Sequence, residues 1–391
     1  METNLPPSDT SRLSYLDFLR GIAVLGLLLM NAPLMGIVDV GGYLPISEMS
    51  ASDSIVRGVN AIFFDGRFRS LFCVLFGIGL YLQFNSYQNK GLDPHSILKT
   101  RLKWLFLFGF LHAVLIWFGD ILMLYAMSGA VLLSKMNDSA ESLIKRGIIW
   151  FLIGVVILAV FSIFAITAEP EVIRGSEEYL AGLAVTTSGY FNDWLSNLVV
   201  AFAFVLSFPF VSVFYLCGPM MIGIGLFKAG YLKTGFDKPT LIGLFIATII
   251  VAAIDFFLAV YHLDLWLKVA NILGSLSGFT MALMIWHFVL ISKVHEKSGL
   301  LVMAIRRVGE MALTFYIMQS VIVTLLLQVI FPEWLETFSL VNYMLLSFAV
   351  MALQLVIALL YKRPDNQGPL EFLWRKLVNR SIIKQTELAQ N

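Results

Sequence analysis

Residues 17–31 read DFLRGIAVLGLLLMN: an arginine, ten uncharged residues and then an asparagine. At about 100° per residue, the eleven steps from Arg20 to Asn31 bring a helix back to nearly the same face, with a rise of roughly 16 Å. The apolar run is long enough to cross a hydrocarbon core of roughly 30 Å. One membrane helix is therefore predicted to carry both side chains on one face. Polar groups inside a bilayer usually face a bundle interior or a watery cavity, so this face is the first candidate site.

The composition of the 391-residue chain is that of an integral membrane protein. Hydrophobic residues make up 59% of the chain and charged residues 14%, with a mean hydropathy of +0.83. A soluble domain carries about a quarter charged residues. The net charge of +1 argues against a nucleic-acid partner, because no basic domain is present. The two cysteines lie in apolar runs and no Cys/His cluster or H-x-x-x-H motif occurs, so no metal site is predicted.

Apolar runs near twenty residues recur along the chain and predict an all-α, polytopic protein with about ten transmembrane helices. A β-barrel would instead show short alternating segments. Lys and Arg concentrate in every second loop, which predicts an even number of spans with both termini cytoplasmic. The predicted spans are 14–37, 66–85, 100–118, 120–135, 146–168, 205–228, 240–260, 269–292, 309–331 and 341–361.

These spans divide the chain into five predicted regions. They are a disordered cytoplasmic leader (1–13), an N-terminal membrane half with the candidate site (14–168), an acidic extracytoplasmic loop with an interfacial segment (169–204), a C-terminal membrane half (205–361), and a cytoplasmic amphipathic helix with a tail (362–391). The run 195–228 is too long for one span, so the part before Pro209 is expected to lie in the outer interface or to re-enter. Gly218-Pro219 is expected to kink the remainder.

His112, Asn31 and Asp120 are the predicted catalytic residues. His112 and Asn31 each lie six or seven residues from the outer end of a predicted span, at matching depth. Acyl transfer needs a base that titrates near neutral pH and a donor to the developing oxyanion, which an imidazole and an amide supply. Asp120 would orient His112 only if the turn at Gly119 folds back. The alternative is that His112 and Asn31 only hydrogen-bond neighbouring helices.

Two groups of charged residues are candidates for substrate contacts. Arg20, with Arg101 and Lys103, is predicted to bind the anionic part of a cofactor arriving from the cytoplasm. The alternative for Arg20 is an ion pair with Asp17, three residues earlier.

Asp65, Arg67 and Arg69 crowd the outer end of the second predicted span. They are predicted to dock an anionic glycan or lipid headgroup, with interfacial anchoring as the alternative. Asp255 is a further candidate for a carboxylate active in proton transfer.

Several stretches resemble the YeiB-like family of bacterial membrane proteins. They are 12–31, 68–77, 109–126, 309–320 (GEMALTFYIMQS) and 368–375 (GPLEFLWR), and the last two resemble that family's C-terminal domain of unknown function. The D-x-x-R-G start at 17–21 is similar, more distantly, to the transmembrane acyltransferase superfamily. That resemblance implies transfer of an acetyl group from cytoplasmic acetyl-CoA to a sugar outside, with acetyl-CoA as a co-substrate and no permanently bound cofactor.

The position of Asn31 distinguishes the branches of that superfamily. The O-acetylase branch has a histidine there; the heparan glucosaminide branch has an asparagine, with its working histidine in the next extracytoplasmic loop. In this chain no histidine occurs before His95, which leaves His112 to substitute by its depth.

The sequence therefore supports two functional hypotheses for a multi-pass protein of the bacterial cytoplasmic membrane. The first is an acyltransferase that acts on an envelope glycan or lipid acceptor. The second is a transporter or exporter of a small solute, because the irregular run 195–228 contains Pro209 and Gly218-Pro219 and interrupted helices often line transport sites. The sequence predicts the lipid bilayer as a partner and leaves the oligomeric state open.

Overall fold

A computed structural model of the protein describes residues 9–36, 50–166, 190–361 and 367–390, together with 176, 177, 180, 181 and 184. Within these residues the chain is helical throughout and contains no β-strand. Most of the predicted leader (1–8) and most of the predicted acidic loop lie outside the described residues.

Fourteen helices of eleven or more residues make up the described fold. They are α1 Asp9–Met35, α2 Ala51–Phe63, α3 Arg67–Asn89, α4 Pro94–Leu115, α5 Leu122–Leu132, α6 Ala140–Ile166, α7 Tyr190–Ser207, α8 Ser212–Lys228, α9 Lys238–Tyr261, α10 Leu263–Ser292, α11 Leu300–Glu310, α12 Ala312–Thr324, α13 Leu340–Leu360 and α14 Pro369–Gln390. Four-residue helices lie at Tyr231–Thr234 and Trp334–Thr337, 3₁₀ turns at Leu133–Lys135 and Val294–Glu296, and a π-helical turn at Leu325–Ile330 extends α12.

Six described helical stretches are long and apolar enough to cross a membrane, which makes the protein an all-helical membrane protein. They are Ser14–Met35, Ala140–Ser162, Lys238–Tyr261, Val269–Ser292, Ala312–Ile330 and Leu340–Leu360. The pair α7 and α8 adds a seventh if it counts as one span. Three of the ten predicted spans correspond to α3, α4 and α5, which are not among these six, and α5 is a shorter apolar helix. The count of ten and the cytoplasmic termini stay predictions.

Helix α1 is the central helix of the described bundle. In its apolar window 78% of the residues are buried inside the protein, the largest share of the six spans. It packs on α3, α11, α12 and α13. At the contact with α11 the two backbones touch, since a Cβ on Gly309 would lie 1.7 Å from the carbonyl oxygen of Asp17. The central position of α1 places both Arg20 and Asn31 next to several neighbouring helices.

The irregular run 195–228 breaks at the predicted place. Helix α7 ends at Ser207, α8 begins at Ser212, and the two helices meet at 66° around Pro209. Helix α8 then continues without interruption through Pro219 to Lys228 and packs antiparallel along α6. The placement of α7 in the outer interface stays a prediction.

Helix α14 begins at Pro369, as predicted, and is tied to two other helices. The Glu371 carboxylate accepts hydrogen bonds from the backbone N–H of Thr314 (3.0 Å) and from its hydroxyl (2.5 Å). It therefore caps the N-terminus of α12 from a distant part of the chain. Burial raises the pKa of Glu371, while the bonds from Thr314 lower it. The Trp374 indole N–H donates to the carbonyl of Arg101 on α4 at 3.1 Å.

Candidate functional site

His112 and Asp120 form a buried pair between α4 and α5. The His112 Nδ1 lies 3.0 Å from the Asp120 Oδ1, and both side chains are fully buried. Because a carboxylate only accepts hydrogen bonds, Nδ1 carries the proton in this pair. In the neutral imidazole the second ring nitrogen, Nε2, is then an acceptor. A histidine held by a carboxylate with its other nitrogen free is the arrangement used in general base catalysis.

The turn between α4 and α5 folds back and makes this pair. Helix α4 ends at Leu115, where Ile116 and Trp117 both donate backbone hydrogen bonds to the carbonyl of His112. The Asp120 Oδ2 accepts from the backbone N–H of Met123 at 2.7 Å, in the first turn of α5. The sequence predicted that Asp120 could orient His112 only if the chain turned back in this way.

Gly109 allows α4 and α5 to approach closely at this turn. A Cβ at this position would lie 2.3 Å from the Met123 nitrogen and 2.6 Å from the Asp120 Oδ2. Only a residue without a side chain therefore fits between the Asp120 carboxylate and the backbone of α4.

Tyr316 on α12 forms the third side of the site. Its ring centroid lies 5.3 Å from that of His112, and its hydroxyl accepts from the backbone N–H of Ile121 at 3.2 Å. The sequence analysis did not identify Tyr316 as a site residue. The available signal was a group of polar-tipped residues, Tyr316, Gln319 and Ser320, in an otherwise apolar segment. Which helix they face depends on the tertiary structure.

The His112 Nε2 is buried and has no hydrogen-bond partner in the part of the chain that the structure describes. The same holds for both amide atoms of Gln319, which is 0% exposed, and for the indole nitrogen of Trp117. Native proteins leave few buried polar atoms without partners, and those few call for an explanation. We return to Gln319 and Trp117 below.

Asn31 is 5% exposed and lies near the same region. Its neighbour Leu27, one turn earlier on α1, belongs to a hydrophobic cluster that also contains Tyr316. Its neighbour Ala32 belongs to a second cluster that contains Trp117. Between the described residues, no hydrogen bond joins Asn31 to His112. The neighbours of Asn31 on α1 and the contacts of His112 therefore share the same two clusters.

Among the described contacts, none joins the three predicted cofactor-binding cations, Arg20, Arg101 and Lys103, to one another. The Arg20 Nη1 pairs with the Asp17 Oδ1 at 2.5 Å, as the alternative interpretation predicted, and the Arg20 side chain stays 26% exposed. The Arg101 guanidinium stacks on the Trp374 ring, 4.4 Å from its centroid. Lys103 is exposed.

Arg67 and Arg69 bind groups of the protein itself. Arg67 is 0% exposed; its Nη1 donates to the carbonyl of Asp65 and lies 3.9 Å from the Asp255 Oδ2 on α9. Arg69 donates to the hydroxyl of Tyr215 and lies 5.0 Å above its ring. Both sequence interpretations, docking and anchoring, assumed that these arginines lie at the interface. The structure instead places Arg67 inside the protein, with the proton-transfer candidate Asp255 beside it.

Helix α2 also has its polar face inward. Its buried residues include Asp53, Arg57 and Asn60, whereas Ile55 and Phe63 are exposed. Asp53 accepts from the backbone N–H of Val341 at the start of α13. The residues of α2 lie between the predicted spans 14–37 and 66–85. A helix with inward charges and outward apolar side chains suits a position between lipid and the bundle.

Among the described residues, no group of three or more His, Cys, Asp or Glu side chains is placed to hold a metal ion. Neighbouring carboxylates are instead paired with arginines, as Asp17 is with Arg20 and Asp138 with Arg146.

Comparison with known proteins shows which proteins the chain resembles. A sequence model for the family described as "Protein of unknown function (DUF418)" matches residues 226–381. The chain is 26% identical to YeiB of Escherichia coli K12 over 94% of its length and 96% of that protein. The chain is thus similar to YeiB-like proteins over nearly its whole length. YxaH of Bacillus subtilis is 25% identical over 99% of this chain and all of its own. A Bacillus acidopullulyticus protein from the amylase 3′ region is 25% identical over 95% of both chains.

The two curated relatives YeiB and YxaH are described as uncharacterized proteins, so they supply no reaction. No solved structure matches the chain. In this YeiB-like protein the region 226–381 runs from the end of α8 into α14. It contains Tyr316 and Gln319 as well as the contact between Glu371 and Thr314. His112 and Asp120 come from the other half, so the candidate site joins both parts of the YeiB-like chain.

Proposed function

We propose that the protein is a membrane-bound acyltransferase of the bacterial cytoplasmic membrane. It moves an acyl group, acetyl in the simplest case, from cytoplasmic acyl-CoA to an extracytoplasmic envelope glycan or lipid. The observation that supports this best is the buried pair of His112 and Asp120 with a free Nε2. A base of this kind is what a hydroxyl needs before it can attack a thioester.

The proposed reaction needs only its two substrates and the side chains of His112, Asp120 and Asn31. His112 Nε2 accepts the proton of an acceptor hydroxyl while that oxygen attacks the thioester carbonyl carbon. The new carbon–oxygen bond forms, the carbon–sulfur bond breaks, and the CoA thiolate takes the proton back from Nε2. Asp120 holds the Nδ1 proton and stabilises the imidazolium formed midway. Asn31 is the proposed amide donor to the developing oxyanion.

Acetyl-CoA is proposed as a co-substrate that enters from the cytoplasmic side. Arg20 is partly exposed and Lys103 is exposed, so both are available to its phosphates. Arg101 stays in the proposal in its stacked position on Trp374, where one of its hydrogen bonds goes to Tyr87. Arg67 is fully buried and paired, so we assign it, together with Asp65, to the stability of the α2–α3 corner rather than to acceptor binding.

Labelled acetyl transfer in proteoliposomes tests the proposal. Purified protein is incubated with labelled acetyl-CoA and envelope glycans or lipids, and acceptor label is counted. General base catalysis contributes roughly 10²- to 10⁴-fold, so His112→Ala is expected to lose at least about 100-fold. His262→Ala is the matched control, because His262 is exposed. Normal transfer by His112→Ala would remove His112 from the mechanism.

Transport of a small solute is the second candidate. It is favoured by the 66° break between α7 and α8 and by the buried pair of Arg67 and Asp255, since broken helices and intramembrane charges mark transport paths. Uptake driven by a pH gradient without CoA would support transport. CoA found by mass spectrometry in the purified protein would support transfer.

A further inference from the structure

Gln319 is a buried side chain with no visible role in the fold. It is 0% exposed, and neither its amide oxygen nor its amide nitrogen has a hydrogen-bond partner among the described residues. A second buried glutamine, Gln354, is equally inaccessible but donates from Nε2 to the carbonyl of Phe315 at 2.8 Å. An amide buried without any partner costs free energy, because its hydrogen bonds with water are lost and not replaced. Gln319 therefore points to a ligand rather than to packing.

The position of Gln319 brings it next to the catalytic pair. Residues three apart on a helix are neighbours on one face, so Gln319 adjoins Tyr316, whose ring contacts His112. Tyr316 belongs to the hydrophobic cluster of Leu27 and Tyr125. Val323, one turn after Gln319, belongs to the separate cluster of Leu28, Ala32 and Trp117. Gln319 thus sits on the border between two apolar clusters.

Two other unsatisfied groups lie near this border. The indole of Trp117 belongs to the second cluster, and His112 contacts Tyr316 of the first. Asn31 is flanked on α1 by one residue from each cluster. The unpartnered atoms are an acceptor on His112, a donor on Trp117, and one of each on Gln319. They come from two separate segments of the chain and meet around one face of α1.

We propose that Gln319 binds two neighbouring hydroxyl groups of the acceptor, so that the acceptor is a vicinal diol such as a sugar or a glycerol. This inference rests on the proposed acyltransferase function. A carboxamide offers an acceptor and a donor side by side, and a vicinal diol matches it because one hydroxyl donates to Oε1 and the other accepts from Nε2. The hydroxyl that accepts from the Gln319 Nε2 keeps its own proton for His112 Nε2, and the hydroxyl that donates to Oε1 keeps lone pairs for the Trp117 N–H. A single alcohol would leave half of the amide unpaired.

Two soluble probes that differ by one hydroxyl and a short ether linker test the inference. Radiolabelled 1-O-octylglycerol carries a vicinal diol, and 1-octanol carries a single hydroxyl on the same alkyl chain. Binding of each probe to the full-length protein in nanodiscs is measured by scintillation proximity. Acetyl transfer to each probe from acetyl-CoA is measured separately. A site that hydrogen-bonds a hydroxyl rejects an analogue that lacks it, so the wild-type protein is expected to bind the diol about 10- to 100-fold more tightly.

Gln319→Met keeps the size of the side chain and removes both hydrogen-bonding atoms, so it is expected to abolish the diol preference. Gln354→Met is the matched control: it also removes a buried amide, but should keep the preference. Gln319→Asn withdraws the amide by one methylene and should retain part of it. The buried thiols of Cys73 and Cys217 stay unreactive only in folded protein and report the integrity of each variant.

The two readouts separate the two proposals. A wild-type protein without diol preference, or a Gln319→Met protein that keeps it, overturns the role of Gln319. A diol preference that depends on Gln319, with no acetyl transfer to the diol, leaves the binding site standing and overturns the acyltransferase function. Acetyl transfer to both probes at equal efficiency supports the acyltransferase function and overturns the role of Gln319.

Discussion

Asp120→Asn is the sharpest test of the catalytic pair, because the structure dictates how the new amide must lie. The Asp120 Oδ2 accepts from the Met123 backbone N–H at 2.7 Å, and a backbone N–H can only donate. The amide oxygen of an asparagine must therefore take that place. Its NH₂ group then faces His112 Nδ1 across the 3.0 Å contact.

The consequence of this substitution is a change of tautomer. With an amide donor facing it, Nδ1 becomes an acceptor and the ring proton moves to Nε2. The nitrogen that takes the hydroxyl proton in the proposed reaction is then already protonated. The full contribution of a general base, roughly 10²- to 10⁴-fold, should be lost from kcat. At about 1.36 kcal/mol per tenfold, this is roughly 2.7 to 5.4 kcal/mol of transition-state stabilisation.

Acetyl transfer and NMR together measure this effect. Transfer rates are compared for the wild-type protein, Asp120→Asn and Asp138→Asn; the last is the control, because Asp138 pairs with Arg146 in a partly exposed ion pair of little energetic value. Protein labelled with ¹⁵N at histidine reports the His112 tautomer. A variant that transfers acetyl groups at the wild-type rate, or that keeps the proton on Nδ1, would refute the reasoning.

Three further predictions concern stability, measured by thermal unfolding in detergent with a dye that reacts with newly exposed thiols. Glu371→Ala should cost about 2 to 3 kcal/mol, because it removes the charged cap of α12. Glu371→Gln should be tolerated. Because burial raises the pKa of Glu371, the contribution of this residue to stability falls as the pH rises from its pKa in the unfolded state to its pKa in the folded state. The glutamine variant should lose this dependence of stability on pH. Gly309→Ala should cost about 3 kcal/mol or more through its backbone clash, whereas Gly243→Ala, with open space around the new methyl, should be neutral or stabilising by up to about 1 kcal/mol. Arg67→Met should cost about 3 to 5 kcal/mol by removing the positive charge that lies 3.9 Å from the buried Asp255 carboxylate, and Arg67→Met with Asp255→Leu should recover most of it. Equal loss in single and double variants would contradict the pairing.

The long apolar helices could be predicted from the sequence to within a few residues at most ends. The predicted spans 240–260 and 341–361 correspond to Lys238–Tyr261 and Leu340–Leu360. The reason is physical: bilayer thickness fixes the length of an apolar run, and the run is visible in the sequence. Helices α2 and α11 were missed because each has an amphipathic pattern shorter than a span.

The catalytic pair shows what the sequence could not supply. On one straight helix, His112 and Asp120 would be roughly 12 Å apart, too far for a hydrogen bond. They meet because α4 ends at Leu115 and the chain turns back. Gly119 and the polar Asp120, which lie between two apolar runs, indicated a turn at this point of the sequence. The turn geometry depends on packing between α4 and α5, including the contact at Gly109, and no local pattern encodes that contact.

Charge near the end of a span and unsatisfied polarity inside the bundle point to different parts of the protein. Arg20 was the first candidate by charge, and Asp17, three residues earlier, is its partner. Gln319 carries no charge, and nothing in the described protein accounts for its two buried amide atoms. A buried polar group must find a partner or pay its full desolvation free energy, whereas an arginine near the headgroups can reach water cheaply. For this reason His112 and Gln319, rather than Arg20, define where a ligand of this protein should be sought.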